Sequence, residues 1–173
     1  QLNLLLKSSI FGVDINEEAI RVASFSLSLA MCDFLDPRSI WDKLSFPRLL
    51  DNNLISSDFF DEDKSFNNRK FDVIIGNPPW QSNITRKTKE YLKKANRVIG
   101  DKQIAQAFSI KCSELCKQSG IICLLMPSKG LLFNRSDKSR TFRANLFSYN
   151  NVLAIINLSV YRKFLFDHAS GPA

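Results

Sequence analysis

The sequence lacks a long apolar run, a paired set of metal ligands and any internal repeat. No uninterrupted hydrophobic stretch approaches the roughly 20 residues that a membrane-spanning helix needs, so we expect no membrane partner. The chain has one histidine, His168, and four cysteines without the paired spacing of structural zinc sites. We therefore expect no metal site, and we interpret the cysteines as buried, reduced thiols of a cytosolic protein.

The composition indicates one folded domain with excess positive charge. The 173 residues are 45% hydrophobic and 24% charged, which is typical of a globular protein with a core and not of a disordered chain. Lys and Arg number 24 against 17 Asp and Glu, so the net charge is +7. A charge of this sign favours a polyanionic partner.

Strand-like segments alternate with helical ones, which predicts an α/β fold with a mostly parallel sheet and helices on both faces. The strand-like segments are residues 10–15, 54–60, 71–75, 121–126 and 152–158. The helical segments are residues 17–31, 101–118 and 139–147, with the end of a further helix in residues 1–9. The irregular segment 33–52 is expected to cover the sheet through Trp41, Leu44, Phe46 and Leu49.

The most distinctive stretch follows segment 71–75 and reads Gly76-Asn77-Pro78-Pro79-Trp80. Both prolines have a fixed φ and no N–H, so they form a rigid turn at the strand's carboxyl end, where open α/β sheets bind ligands. The Asn77 side-chain oxygen and the Pro78 carbonyl are neighbouring acceptors that suit an NH2 group on a flat ring, and Trp80 could stack on it. A proline-rich turn with a packing tryptophan is the structural alternative.

A carboxylate ends the first predicted strand at Asp14. Asn16 is placed to cap the following helix, and Glu17 and Glu18 suit its positive amino end. A carboxylate at a strand end of a nucleotide-binding sheet can accept both hydroxyls of a ribose. A helix-capping role explains Asp14 equally well.

Asn77-Pro78-Pro79-Trp80 resembles the Asn-Pro-Pro-aromatic signature of amino-group methyltransferases that use S-adenosylmethionine. The chain looks most like the N6-adenine DNA methyltransferases of restriction–modification systems. The resemblance extends over nearly the whole chain and implies a Rossmann-like fold and a cytoplasmic bacterial or archaeal protein. It implies methyl transfer to a flipped adenine in double-stranded DNA, with the four signature residues at the catalytic site.

The resemblance also implies a binding site for S-adenosylmethionine. Asp14 would hold the ribose and Ile15 would pack on the adenine. Asp58 would accept the adenine amino group and Phe59 would cover the ring, although a loop acid and a core phenylalanine explain these two as well. For Phe60 we prefer the core interpretation. Phe108 would approach the cofactor's adenine, and core packing is its alternative.

Two further sets of residues are implied to contact DNA. The target base would stack between Trp80 and Phe166, with Phe164 as the rival and Tyr161 less favoured. A basic run follows the signature and would meet the DNA backbone, or would form an ordinary solvated face. Its members are Arg86, Lys87, Lys89, Lys93 and Lys94.

The chain departs from the pattern in one respect. The glycine-rich first motif of the family should precede residue 10 by a helix, and residues 1–9 do not contain it. We therefore expect a partial catalytic domain over residues 1–173, incomplete at both ends, from a protein that could carry fused recognition and nuclease regions. The alternatives are a protein glutamine methyltransferase, an RNA or N4-cytosine methyltransferase, and a catalytically silent piece that only binds DNA.

Overall fold

The computed structural model describes residues 2–43, 45–94, 96–161 and 164, without the side chains of residues 39, 42, 43 and 65. The chain divides into two compact units, Gln1–Phe66 and Asn67–Ala173. Each unit contains one pair of parallel strands with helices packed against it. The α/β class predicted from the sequence is confirmed.

The first unit is built around a short parallel strand pair. Its elements are α1 (Leu2–Ser9), β1 (Gly12–Asp14), α2 (Glu17–Cys32), α3 (Pro37–Lys43) and β2 (Leu54–Ser56), and a 3₁₀ turn follows at Ser65–Asn68. Gly12 pairs with Leu54 and Asp14 with Ser56. The core of this unit consists of Leu6, Ile20, Met31, Leu49 and Leu54.

Two asparagines fix the ends of its helices. The side-chain oxygen of Asn16 accepts hydrogen bonds from the amides of Glu18 (2.9 Å) and Ala19 (3.4 Å), which confirms the predicted cap of α2. The buried side chain of Asn53 donates to the carbonyls of Lys7 (2.9 Å) and Ile10 (2.8 Å). The first bond satisfies a carbonyl that the end of α1 leaves without a helical partner, and the second holds the residue just after the helix.

Segment 33–52 differs from the expectation. It contains the helix α3, and Trp41 is 91% exposed and Phe46 51% exposed, so neither side chain covers the sheet. Leu49 is 1% exposed and packs in the core with Leu54 of β2, as expected. Leu44 lies outside the described residues. The strand β2 ends at Ser56 rather than at residue 60, because the chain turns there and the Asp58 side chain accepts from the Phe60 amide.

The second unit has a longer strand pair and more helices. Its elements are β3 (Phe71–Gly76), α4 (Arg86–Lys94), α5 (Ile104–Leu115), β4 (Cys116–Leu124), a π-helical turn (Lys129–Phe133), α6 (Asp137–Tyr149) and a 3₁₀ turn (Ser159–Tyr161). Val73 pairs with Ile121 and Gly76 with Leu124 in a parallel ladder. Helix α4 falls in a span for which no helix was expected.

Helix α5 is shorter than predicted at both ends. It begins at Ile104 because Asp101 and Lys102 have φ values of 48° and 52°, which a right-handed helix does not allow. It ends at Leu115, and β4 starts at the next residue. The ladder is irregular between Phe71 and Val73. There a side chain on Gly120 would lie 2.9 Å from the Phe71 carbonyl oxygen, so this position requires glycine.

The last predicted strand does not form. Residues 152–158 have no assigned strand within the described chain, and Leu153 and Ile156 are 75% and 77% exposed. A β-branched apolar segment becomes a strand only when a neighbour supplies ladder hydrogen bonds. Among the described residues, no neighbouring strand supplies them.

The cysteines only partly follow the prediction of buried thiols. Cys112 is buried, and burial raises the pKa of its thiol to about 12. Cys32 and Cys116 are half-buried, and Cys123 is exposed, so the prediction is wrong for Cys123. Among residues 2–161, as far as they are described, no helix combines the length and apolar character needed to cross a membrane.

Candidate functional site

Each strand pair ends in polar residues at its carboxyl edge. In the first unit, β1 and β2 end side by side, because Asp14 pairs with Ser56 and the Ser57 amide donates to the Asp14 carbonyl (2.9 Å). The side chains of Asp14 and Asp58 therefore belong to the same edge. The resemblance implied that both acids contact the cofactor, and that role stays a prediction.

The Asp14 side chain is exposed at this edge. Its Oδ1 accepts a hydrogen bond from the Asn16 amide (2.8 Å), and the neighbouring Ile15 is 73% exposed. The helix cap itself is Asn16, so capping of α2 does not require the Asp14 carboxylate. An exposed carboxylate beside an exposed aliphatic side chain can accept hydroxyl groups while the aliphatic side chain covers a ring.

The residues after β2 form a turn with aromatic packing. The Asp58 carboxylate is half-buried and accepts from the Phe60 amide (2.9 Å). Phe60 is 2% exposed, which confirms its interpretation as a core residue. Phe59 is half-buried and stacks on Phe66, with ring centroids 5.8 Å apart and an interplanar angle of 2°. One face of the Phe59 ring is therefore covered by Phe66, so a bound ring could contact only the rest of the Phe59 side chain.

The second edge is the turn that follows β3. Gly76 ends the strand, and its carbonyl accepts from the Leu125 amide (3.0 Å), so the turn leaves the sheet beside the end of β4. Pro78 is buried, while Asn77 and Pro79 are exposed. The buried proline fixes the backbone of the turn, and Asn77 projects its amide from that fixed base.

A hydrogen bond inside the turn orients the Asn77 amide. The indole Nε1–H of Trp80 donates to Asn77 Oδ1 at 3.2 Å. An amide oxygen has two lone pairs, so this bond fixes the oxygen and still leaves it a second acceptor site. The sequence predicted Asn77 as a hydrogen-bond acceptor and Trp80 as a stacking surface, and it did not predict the hydrogen bond between them.

Helix α4 begins shortly after the turn and carries the basic run. Thr85 caps it, with its hydroxyl accepting from the Thr88 amide at 3.1 Å. Thr88, Tyr91 and Leu92 form its buried face. The Tyr91 hydroxyl donates to the Glu114 carboxylate of α5 at 2.7 Å, and burial raises the pKa of Tyr91. These contacts hold α4 with its opposite face toward solvent.

That opposite face is the candidate DNA-contacting surface. All five predicted side chains of the basic run are exposed: Arg86, Lys87, Lys89, Lys93 and Lys94. Arg86 is paired with Glu90, with its Nε 2.8 Å from Oε1, and this partner raises the pKa of Arg86. The lysines at positions 89 and 93 are one helical turn apart, so they present two positive charges on one line.

Three aromatic residues were predicted to compete for the second stacking position. Phe164 is 88% exposed and Tyr161 is 58% exposed. Phe166 lies outside the described residues, as does His168. Phe108, predicted near the cofactor, lies on α5 of the second unit and is half-buried.

The family model described as Eco57I restriction-modification methylase matches residues 8–164. The match covers most of the chain, so the protein belongs to this family, and the restriction–modification methylase inferred from the Asn-Pro-Pro-aromatic signature is confirmed. Methylases of restriction–modification systems are methyltransferases that act on DNA. No curated protein sequence matches the chain.

Proposed function

We propose that the protein transfers a methyl group from S-adenosylmethionine to the N6 amine of an adenine within a specific DNA site. The observation that carries this proposal is Asn77, an exposed amide at the carboxyl end of a parallel strand, with its oxygen oriented by Trp80 and its backbone fixed by Pro78. The Rossmann-like methyltransferase sheet is part of the proposal, and the two parallel pairs support it.

The turn would activate the amine by accepting its hydrogens. Asn77 Oδ1 and the Pro78 carbonyl oxygen would each accept one N–H, which draws the nitrogen lone pair out of conjugation with the ring. S-adenosylmethionine supplies, when bound, a methyl group attached to a sulfonium sulfur. When the methyl group is transferred, this sulfur leaves as a neutral thioether. The nitrogen gains the methyl and afterwards loses one proton to water, so the chain needs no general base before the attack.

The first unit is proposed to hold the adenosine part of the cofactor. Asp14 would accept the ribose hydroxyls, Ile15 and Phe59 would contact the adenine, and Asp58 would accept its amino group. The residues fit this role because the Asp14 carboxylate is exposed and its Oδ1 contact is to a backbone amide rather than to a cation. Phe108 of the second unit remains a predicted contact of the adenine.

The second unit is proposed to hold the DNA. An adenine amine cannot be reached inside a duplex, so the base must be flipped out, and Trp80 and Phe166 would stack on its two faces. The exposed cations of α4 would contact phosphates, since neutralised phosphates release counterions. Charge supports this assignment, because the second unit has 18 Lys and Arg against six Asp and Glu.

The identity of the product tests the proposal. The full-length protein would be incubated with long unmodified double-stranded DNA and isotopically labelled S-adenosylmethionine. The DNA would then be digested to nucleosides, which would be separated and identified by mass spectrometry. We expect labelled N6-methyladenine. Labelled N4-methylcytosine would refute it in favour of the cytosine alternative. Unlabelled DNA, with label in RNA or in a protein glutamine when these are supplied in parallel reactions, would refute it in favour of the RNA or the protein alternative.

The role of Asn77 is tested by substitution. Asn77→Ala should lower the transfer rate at least about a hundredfold, since it removes an acceptor that acts on the developing charge. Asn151→Ala is the matched control, because Asn151 is also an exposed asparagine of the second unit and lies outside the turn. Retained activity in Asn77→Ala would refute the proposed role.

A further inference from the structure

A fully buried glutamine links the two segments that follow β3 and β4. Gln106 of α5 is 0% exposed. Its Oε1 accepts from the Gly100 amide at 2.7 Å, and its Nε2 donates to the Gly130 carbonyl at 2.6 Å. A buried amide is costly unless both its donor and its acceptor are satisfied, and here the two partners lie on different segments.

The first of these segments precedes α5 and is held in a strained conformation. A side chain on Gly100 would lie within 3.1 Å of the Ser139 Cα, so the backbone presses against α6. Asp101 and Lys102 then adopt left-handed φ values of 48° and 52°. Such conformations cost free energy and persist only when surrounding contacts enforce them.

The second segment follows β4 and includes the π-helical turn Lys129–Phe133. Asn134, at its end, donates from Nδ2 to the Asp101 carboxylate at 2.5 Å, and its carbonyl accepts from Arg143 at 2.7 Å. The Gln106 bridge and the Asn134–Asp101 bond therefore join the same two segments at two points. Short π-helical turns are frequent at functional sites.

Both segments are connected to the Asn77–Trp80 turn. The Leu125 amide donates to the Gly76 carbonyl (3.0 Å), so the turn and the segment after β4 start from adjacent points of one edge. The Ile104 amide donates to the Gln81 carbonyl (3.3 Å), so the residue after Trp80 is attached to α5 two residues from Gln106.

We propose that Gln106 is a positioning residue for methyl transfer, which holds the segment after β4 at a fixed place beside the Asn77–Trp80 turn. The inference rests on the proposed function of that turn. A hydrophobic side chain would serve the core of α5 at least as well, whereas only an amide can satisfy a backbone donor and a backbone acceptor at once. Loss of the bridge would let the segment shift without unfolding the unit.

The test uses the full-length protein and two variants of α5. Gln106→Met keeps the length of the side chain and removes both bridging bonds. Ser109→Ala is the matched control, because Ser109 is also buried and its hydroxyl bonds only within the helix, to the Gln106 carbonyl (2.8 Å). Each variant loses buried hydrogen bonding in the same helix, and only the first releases the two segments.

We expect Gln106→Met to lower kcat about tenfold to a hundredfold, because small displacements of catalytic groups carry penalties of that size. KM for S-adenosylmethionine should change less than about twofold, since the hydrogen bonds of the bridge join Gly100 and Gly130, and neither residue is proposed to hold the cofactor. Ser109→Ala should keep the wild-type kcat. Amide hydrogen exchange at Gly100 should accelerate in Gln106→Met and not in Ser109→Ala, and this readout does not require activity.

A wild-type kcat in Gln106→Met, or an equal loss in Ser109→Ala, would overturn the inference while leaving the proposed function standing. If Gln106→Met does not fold, Gln106→Asn decides: it keeps the amide but is one methylene shorter, so it cannot bond to both the Gly100 amide and the Gly130 carbonyl. An unchanged kcat there would also overturn the inference. If the wild-type protein transfers no methyl group to DNA, the proposed function fails first, and the inference fails with it.

Discussion

The two compact units differ in charge more than in architecture. Each carries one parallel strand pair with polar residues at its carboxyl edge. The first unit has six Lys and Arg against eleven Asp and Glu, a net charge of −5, whereas the second has a net charge of +12. DNA attracts a basic surface and repels an acidic one. The comparison supports the proposed division of work, in which DNA is held by the second unit and the cofactor contacts other than Phe108 belong to the first.

The units also differ in how firmly their edges are supported. Helix α2 of the first unit buries only Ile20 and Met31, whereas eight of the twelve residues of α5 in the second unit are buried. Catalytic groups need a fixed geometry. A cofactor site can gain order when its ligand binds, because binding stabilises the folded form. The acceptor that would act in the reaction therefore lies on the better-packed unit.

The largest expected effect is a difference between the two units in how much stability a glycine-to-alanine substitution costs. Gly120→Ala should destabilise the second unit by about 2 kcal/mol or more, because its new methyl group meets the backbone oxygens of Phe71 (2.9 Å) and Asp72 (2.8 Å). Gly12→Ala in the first unit should cost about 1 kcal/mol or less, since it meets only the end of the Leu54 side chain (2.9 Å).

Urea denaturation with amide hydrogen exchange resolved by unit would measure both glycine variants. Exchange should accelerate in residues 67–161 of Gly120→Ala and remain close to wild type in Gly12→Ala. Equal destabilisation by the two substitutions would contradict the stated difference in packing.

A smaller effect concerns the hydrogen bond within the Asn77–Trp80 turn. Trp80→Phe keeps a stacking face and loses the Nε1–H bond to Asn77, so kcat should fall about threefold to tenfold. Trp80→Ala loses the stacking as well, and its penalty should be larger by about 1–3 kcal/mol. The single-turnover methylation rate would measure both. An unchanged rate in Trp80→Phe would mean that the indole bond does not orient Asn77.

The smallest effect concerns the proposed contact of α4 with DNA. Lys89→Ala should remove one phosphate contact. The logarithm of the DNA association constant should then fall less steeply with the logarithm of the salt concentration, with a slope smaller in magnitude by about one. Lys138→Ala is the matched control, an exposed lysine of the same unit on a different helix. Titration of DNA at several salt concentrations gives both slopes. An equal change in both variants would assign the effect to net charge rather than to the α4 surface.

The sequence predicted best where local chemistry decides the structure. Asn16 caps α2 as its position indicated, because the cap requires only a side-chain oxygen and the amides two and three residues later. The strand before Asn77 was also predicted within one residue, because a continuous apolar run that stops at glycine leaves little choice.

The sequence predicted least where the structure depends on distant partners. Helix α4 was missed because its buried face combines Thr88 with Tyr91 and Leu92, and the Tyr91–Glu114 bond joins residues 23 positions apart. Gln106 gave no signal, since glutamine is usually exposed and its two partners are set by tertiary structure. Residues 152–158 have strand-forming side chains, and these alone do not produce a ladder.

The most direct test of the division between the units is a calorimetric titration of S-adenosylmethionine into the full-length protein and two variants. Asp14→Ala should raise the Kd about tenfold to a hundredfold, which corresponds to lost hydrogen bonds to a charged group. Asn77→Ala should leave the Kd within about twofold of wild type, because Asn77 is proposed to contact the target base and not the cofactor. An unchanged Kd in Asp14→Ala, or an equal loss of affinity in both variants, would contradict the account.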